Sequence, residues 1–524
     1  MSKTPYSKVA LHMMVNILTN LDRDSDSPTY GSFDRNMWNY KMRDFSSALL
    51  QQGSLTLALA YKHDFEGNIY FNNKFIREYA IAGIRFLSRI QLKCGGFEEY
   101  WAHEKSIPST GFALYAMCET YDVLELNDQV VLDSIRRAVR FIHKYTEHEA
   151  LNQEMAATAA MYYAGKVLDD DLIINKAEAK FKRLMSKQDS EGWFKEYNGV
   201  DVGYLSVFLD FLIRYYELSQ DSTALEAAKR IILFIQYFIH PDGSLGGEYC
   251  TRNTEYFLPY GFEYMKRHEP IANSSIIKLM SYINRDNYLN ICLDERYILH
   301  YTNSSYMKAI IDYKVIQDQP SLPHENTFNK TFNNGLLHIR STDAYYFICS
   351  IMKSGVFKVM NKKDMSMSTD TCYRLYKDQS IYTSEWPCSN PYEINKDDII
   401  IHSGYIKKKF LKITPIKLTL LKVLSYFTGR FAVSLAKNVL IFNKQKNDKI
   451  ASFTRKLALS SDKIMVQDTI DPKVSLTKAR RMNGLSLRHT ASSKFFQVNS
   501  LQNQINQKQF EVKTKTVISD ELTF

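Results

Sequence analysis

The sequence contains no run of about 18 uncharged apolar residues, the length a helix needs to cross a bilayer, so no membrane-spanning helix is expected. Its seven cysteines (Cys94, Cys118, Cys250, Cys292, Cys349, Cys372 and Cys388) include no C-x-x-C pair and are odd in number. That argues against a zinc knuckle and a disulfide framework, and reduced thiols in a cytoplasm fit best. The chain has no P-loop, no G-x-G-x-x-G after a strand, no G-x-S-x-G and no H-E-x-x-H. Nucleotide-binding, serine-hydrolase and zincin chemistries therefore have no support. The apolar stretch Val9–Leu18 is broken by His12 and Asn16 and followed by Asp22, Arg23, Asp24 and Asp26 rather than a small-residue cleavage site. It reads as an amphipathic first helix, and a cytoplasmic location is the expectation.

Acidic residues are scarce in one part of the chain. Of 524 residues with a net charge of +10, positions 401–524 hold 23 Lys and Arg against 7 Asp and Glu, a net +16. Positions 1–400 are left with 44 basic and 50 acidic residues, a net −6. Such a split predicts a change of architecture along the chain and a basic part that meets an anion. The most apolar basic stretch, Leu418–Leu424, contains Lys422 and is flanked by Lys407, Lys408, Lys409 and Arg430. It reads either as a membrane-surface patch or as a sheet edge or short helix with solvated lysines.

From about 8 to about 300 the apolar spacing is helical, as in Leu205, Phe208, Leu212 and Tyr215. Helices are predicted near 8–20, 44–62, 72–92, 108–124, 129–146, 153–168, 171–188, 202–218, 223–239, 255–267 and 271–283. A loop reading Gly95-Gly-Phe-Glu-Glu-Tyr100 is echoed by Gly192-Trp-Phe-Lys-Glu-Tyr197, and more loosely by Gly243-Ser-Leu-Gly-Gly-Glu-Tyr249. Polar loops at 31–43 and 147–153, the latter with Asn152 and Gln153, hold the same place. In an array of helical hairpins every second connection falls at one end, so these loops are expected to share one rim. The simplest closed arrangement is an α/α toroid. After about 300 the pattern changes to short strands near 338–341, 344–351, 398–402, 431–434, 438–442, 463–468 and 510–517. The predicted fold is therefore an N-terminal α/α toroid over residues 1–310, followed by an antiparallel β-sandwich over residues 311–524.

Aromatics stack on sugar rings, while carboxylates, amides and arginine bind hydroxyl and acidic groups. The rim residues of that kind are Trp38, Glu99, Tyr100, Glu104, Glu196, Tyr197, Asp201, Tyr204, Glu248 and Tyr260. The acids also fit as caps of the following helices, and the tyrosines as half-buried packing. His103 is a candidate general base. With a helix beginning near Thr254, Asn253, Tyr256 and Tyr260 fall near one face and Arg252 at its mouth. Arg252 and Asn253 could neutralise a uronate carboxylate and so acidify its C5 proton, which a nearby tyrosine could remove before protonating the leaving oxygen.

The helical repeats, the loop Gly95–Pro108, the stretch Gly192–Tyr204, the segment Arg252-Asn253-Thr-Glu-Tyr256 and the following sandwich resemble the heparinase II/III-like proteins, within the wider toroid-plus-sandwich polysaccharide lyases. That resemblance implies β-elimination on a uronate-containing polysaccharide. It places Tyr256 as the helix-borne tyrosine, Asn253 and Arg252 as neutralisers and His103 as the rim histidine. A further histidine from the sandwich is implied, with His300, His324, His338 and His402 as candidates. The family is usually secreted, whereas no signal peptide is found here, which points to work beside the machinery of a bacterial capsule or other surface glycan. The alternatives are a uronyl C5-epimerase or other biosynthetic modifier, a glycoside hydrolase and a non-catalytic glycan-binding protein. The expected partner is an acidic polysaccharide or oligosaccharide rather than nucleic acid, with peripheral contact to a membrane or a polysaccharide-synthesis complex. Neither a cofactor nor a metal is expected.

Overall fold

The computed structural model describes residues 4–285, 295–385, 390–408, 412, 414–428, 448–483, 503, 505 and 508–524. Its helical part comprises α1 (Ser7–Asn20), the short α2 (Arg35–Trp38), α3 (Gly53–Lys62), α4 (Lys74–Ile90), α5 (Ile107–Val123), α6 (Gln129–His143), α7 (Leu151–Leu168) and α8 (Asp171–Met185). It continues with α9 (Val202–Ser219), α10 (Ser222–Ile235), α11 (Tyr260–Met265), α12 (Pro270–Ile283), α13 (Glu295–Tyr297) and α14 (Asn303–Ile311). A π-helical turn, Ile298–Thr302, joins the last two.

Two kinds of helix alternate, and their sequences say why. The run Ile107–Thr120 of α5 is buried on every side. Most outer helices bury one side, as with Ile76, Ala80, Ile84 and Leu87 of α4 or Val131, Ile135, Ala138 and Ile142 of α6, while α12 is buried all round over 271–276. All-round burial places a helix between two layers; a stripe places it at the surface. Accordingly α3, α5, α7, α9, α11 and α14 each pack on the next, and α14 closes back on α3. Outside them α4, α6, α8, α10 and α12 each lie on the preceding inner helix, with α1 on α14. This is an α/α toroid. Side-chain caps fix where helices start: Asn73, Asp128, Asp170 and Asp221 on outer helices, Ser106 and Asp201 on inner ones. Each such cap contributes about 1 kcal/mol.

The repeated glycine of the rim loops has a common cause. Gly95 and Gly192 have φ of +92° and +105°, and a Cβ on either would collide with a backbone carbonyl of the next outer helix, that of Arg137 or Arg230. Only glycine allows both the left-handed backbone and the close approach. Gly243 meets the Lys278 carbonyl of α12 in the same way.

Beyond α14 come two antiparallel sheets. The first is β1 (Phe328–Phe332), β2 (Leu337–Ser341), β3 (Tyr345–Ser350), β4 (Val356–Asn361) and β5 (Met367–Asp370), paired in sequence order. The second holds β6 (Tyr373–Lys377), β7 (Ser380–Thr383), β8 (Tyr392–Asn395), β9 (Asp398–Lys408), β10 (Asp448–Leu459), β11 (Lys463–Pro472), β12 (Lys478–Arg481), β13 (Gln509–Phe510) and β14 (Thr516–Thr523). Its order is β13-β12-β6-β7-β9-β10-β11-β14, with β8 on β9. The period-two alternation of β3 works on both faces. Tyr345, Phe347 and Cys349 pack against Ile399, Ile401, Leu457 and Val466 of the second sheet. Tyr346 and Ile348 belong to the toroid core, and the Tyr346 hydroxyl donates to the Tyr237 carbonyl at 2.6 Å. The first sheet is thus the middle layer between toroid and second sheet.

Several sequence expectations shift. The stretch 254–259 is irregular and α11 begins only at Tyr260, where a helix was expected from about 255. His300 lies in the π-helical turn of the toroid rather than on a strand. The expected strand at 510–517 is split between β13 and β14. The strands expected at 431–434 and 438–442 lie outside the described residues. The Leu418–Leu424 stretch belongs to a helix, α15 (Pro415–Thr428), which stands between β9 and β10 in the chain.

Candidate functional site

A cleft opens at the rim of the toroid. The first rim loop contributes Glu99, Tyr100 and Glu104, the start of α7 contributes Asn152 and Gln153, the second loop Tyr197, and α9 Tyr204. Arg252 comes from the third loop, and Arg296, Tyr297, His300 and Tyr301 from α13 and the π-helical turn. Tyr204 is set by its helix start: the Asp201 carboxylate caps α9 by accepting from the Tyr204 N–H at 3.1 Å. The other Asp201 oxygen accepts from the backbone N–H of Arg252 at 2.9 Å. One carboxylate therefore fixes a tyrosine in the first turn of α9 and an arginine of the third loop. The Arg252 guanidinium stacks on the Tyr197 ring, 4.2 Å from its centroid, and is electrostatically coupled to Tyr204 as well. Such cation–π contact is strongest when desolvated, as it is here.

The two carboxylates that line the cleft are already engaged. Glu99 accepts from Arg296 and from the Ser106 hydroxyl, each at 2.6 Å. Glu104 accepts from the backbone N–H groups of Glu99 and Tyr100. Arg296 also lies over the Tyr100 ring at 4.5 Å. Behind the cleft, Glu196 accepts from the Asn152 amide at 2.5 Å. Burial pushes the Glu196 carboxyl well up, against the opposing effects of Asn152 and Arg252.

His300 is neutral in this setting, because burial lowers it well below the ordinary imidazole range. The Gln52 amide nitrogen donates to the Leu49 carbonyl at 3.0 Å and faces His300 Nδ1 at 2.8 Å. Nδ1 is therefore the acceptor and Nε2 carries the proton. That tautomer offers the cleft a hydrogen-bond donor rather than a base. Tyr301, beside it, shares a 2.5 Å hydrogen bond with Tyr256, and burial raises both phenols.

Seven of the residues singled out from sequence as candidate site residues thus meet in one cleft: Glu99, Tyr100, Glu104, Tyr197, Tyr204, Arg252 and, from the toroid rather than the sandwich, His300. The cleft lining does not include the others. Trp38 donates its indole N–H to the Asn20 carbonyl at 2.9 Å. His103 is half-exposed on the outer side of the first loop, edge-on to Tyr426 at 5.1 Å. Asn253 has φ of +56° and accepts from Lys353 at 2.8 Å. Tyr256 sits one layer behind the cleft. Tyr260 is buried beneath Lys308, 5.0 Å from the ring. Glu248 pairs with Lys358 at 3.1 Å, and Asp201 and Glu196 act from behind. Arg296, Tyr297 and Tyr301 were not foreseen: they follow the repeats and match no rim motif. Asn152 and Gln153 carried a signal in their loop position alone. Among the described residues, no group of three or more His, Cys, Asp and Glu side chains is placed to hold a metal ion.

No protein-family model matches the sequence, and no curated protein does either. Solved structures do match in fold. A chondroitin AC lyase of Streptomyces coelicolor A3, in complex with chondroitin sulphate, superposes with a TM-score of 0.58 at 10% identity, over 92% of this chain and 69% of that one. A Paenibacillus xanthan lyase matches with a TM-score of 0.55 at 10% identity, over 91% of this chain and 46% of its own, so this chain spans about half its length. A sugar epimerase from a ruminal bacterium matches at a TM-score of 0.43 and 13% identity, over 59% of this chain and 97% of that one. The toroid followed by antiparallel sheets is thus similar in fold to solved polysaccharide lyases.

Proposed function

We propose that this protein is a polysaccharide lyase that acts on a uronate-containing chain by C5 proton abstraction and β-elimination. The observation that carries the reading is a cleft lined by two arginines and several tyrosines whose two carboxylates are both tied up in fixed hydrogen bonds. A glycosidase needs a pair of carboxyl groups free to donate and accept protons across the bond it cleaves, and that pair is not what this cleft offers. Arg252 and Asn152 bind the uronate carboxylate and stabilise the charge that grows on it as C5 is deprotonated. Tyr204 takes the C5 proton. The Arg252 charge acts on Tyr204, and the Asp201 cap fixes the backbone of Tyr204 at the start of α9. The C5–H electron pair becomes the C4=C5 double bond, the C4–O bond breaks, and the glycosidic oxygen leaves with a proton returned by a tyrosine. His300, fixed as a neutral donor, holds a substrate oxygen.

The test is a panel of heparosan, hyaluronan, chondroitin and alginate, with the ultraviolet absorbance of unsaturated uronate as readout. Product is expected with at least one polymer, and Tyr204→Phe is expected to lower kcat about 100-fold or more, the usual weight of a positioned proton-transfer group. No unsaturated product on any polymer, with deuterium entering at C5 and no chain shortening, would replace the lyase by an epimerase. New reducing ends without unsaturation would replace it by a hydrolase.

A further inference from the structure

The helix α15 is the least buried helix of comparable length in the described part of the molecule: of its 14 residues only Ser425 is buried. Yet its composition is that of an interior helix, Pro-Ile-Lys-Leu-Thr-Leu-Leu-Lys-Val-Leu-Ser-Tyr-Phe-Thr, without an acidic residue. Three contacts seat one side of it on the toroid. The Trp101 indole N–H donates to the Ser425 hydroxyl at 2.9 Å, Lys422 pairs with Asp44 at 2.7 Å, and Tyr426 meets the edge of His103. The opposite side carries Ile416, Leu420, Val423, Leu424 and Phe427, at relative positions 0, 4, 7, 8 and 11, which is one continuous helical stripe. These five are 73%, 62%, 49%, 43% and 78% exposed. An ordered stripe of large apolar side chains facing outward is a binding surface, not chance exposure.

We infer that α15 is an interfacial helix that seats the rim of the toroid on an anionic lipid surface. Charge selects the occupant. From 399 to 447 the sequence holds ten Lys and Arg and no Asp or Glu. An apolar face with Lys417 at its margin, in a segment without acids, is what a helix lying in the headgroup region of an acidic bilayer requires. A second copy would bring two acid-free segments together, like charge against like. At 14 residues the helix is about 21 Å long, too short to span a hydrocarbon core of about 30 Å, so it lies on the surface rather than across it. Its seat, Trp101 and His103, belongs to the same loop as Glu99, Tyr100 and Glu104. Anchoring α15 therefore brings the mouth of the cleft close to the membrane surface. The inference does not rest on which reaction the cleft performs.

The test is co-sedimentation of the full chain with phosphatidylcholine vesicles, with and without phosphatidylglycerol. Binding is expected to the acidic vesicles, to weaken as salt is raised, and to fall about tenfold or more in L420E/F427E, with circular dichroism and thermal unfolding unchanged because both side chains are exposed. Absence of binding to acidic vesicles, equal binding by the double variant, or binding indifferent to salt would each overturn it. So would a concentration-dependent dimer that the variant abolishes while vesicles are ignored, which would assign the stripe to a second copy.

Discussion

The first and third rim loops start from the same sequence idea and end as opposites. In each, a left-handed glycine backs onto the next outer helix and a Glu-Tyr pair follows. In the first loop Glu99 pairs with Arg296 and Tyr100 stands half-exposed at the cleft mouth. In the third, Glu248 is buried against Lys358, and the Tyr249 hydroxyl meets His240 Nε2 at 3.0 Å. The second loop lies between these extremes: Glu196 is buried against Asn152, while Tyr197 still lines the cleft. What differs is the neighbour. The hairpin of β3 and β4 covers the third loop and sends Lys353 and Lys358 into it, whereas the first loop faces solvent and α15. A repeated motif sets the backbone of a rim loop; the layer packed on it decides whether its side chains meet a substrate or brace the fold.

The covered loop should therefore fail structurally where the open one fails functionally. The largest expected effect is at Lys358, which pairs with Glu248 at 3.1 Å and Glu255 at 3.0 Å. Lys358→Met leaves two buried carboxylates without their cation and should cost about 3–5 kcal/mol, read from the urea midpoint. A loss no larger than that of a surface substitution would break the contrast between the loops. Next comes the shared backbone. Gly192→Ala should cost more than about 1 kcal/mol in the same measurement, since it combines a positive φ with a clash at the Arg230 carbonyl. A neutral result would mean the repeats do not share a steric cause.

The smallest effect is at Glu196, whose carboxyl is raised by burial. The folded protein holds this proton more tightly than the unfolded chain does. The stability it supplies is complete below the ordinary glutamate pKa of about 4.3 and is lost as pH rises toward the folded value. Glu196→Gln, which keeps the shape and cannot ionise, should flatten that fall. Parallel urea midpoints of the two proteins between acid and neutral pH would contradict it.

Much of the toroid was legible because helical burial has a period. The helices expected at 8–20, 129–146 and 202–218 correspond to α1, α6 and α9 within a few residues. The segment 254–259 was not, because its apolar residues mimic a helical face while its backbone is held by Asp201 and the Lys358 ion pairs. In the cleft, Tyr204 and Arg252 could be singled out by residue type, and the Asp201 carboxylate that joins them could not. Arg296 and Tyr301 follow the repeats and match no loop motif, so only the closing of the ring beside α3 reveals them.

By itself the sequence determined the alternation of inner and outer helices, the glycines of the rim and the change to strands, because each depends on local sterics or on a short period of burial. It also determined that the basic charge is concentrated after residue 400. Only the tertiary structure decided which of three similar Glu-Tyr pairs face a cleft, that Asp201 couples Tyr204 to Arg252, and that the apolar stripe of α15 points outward. Those outcomes depend on contacts between residues far apart in the chain, as with Asp201 and Arg252, 51 positions apart, or Trp101 and Ser425, 324 apart. Pairings at such separations leave no period in the sequence to read.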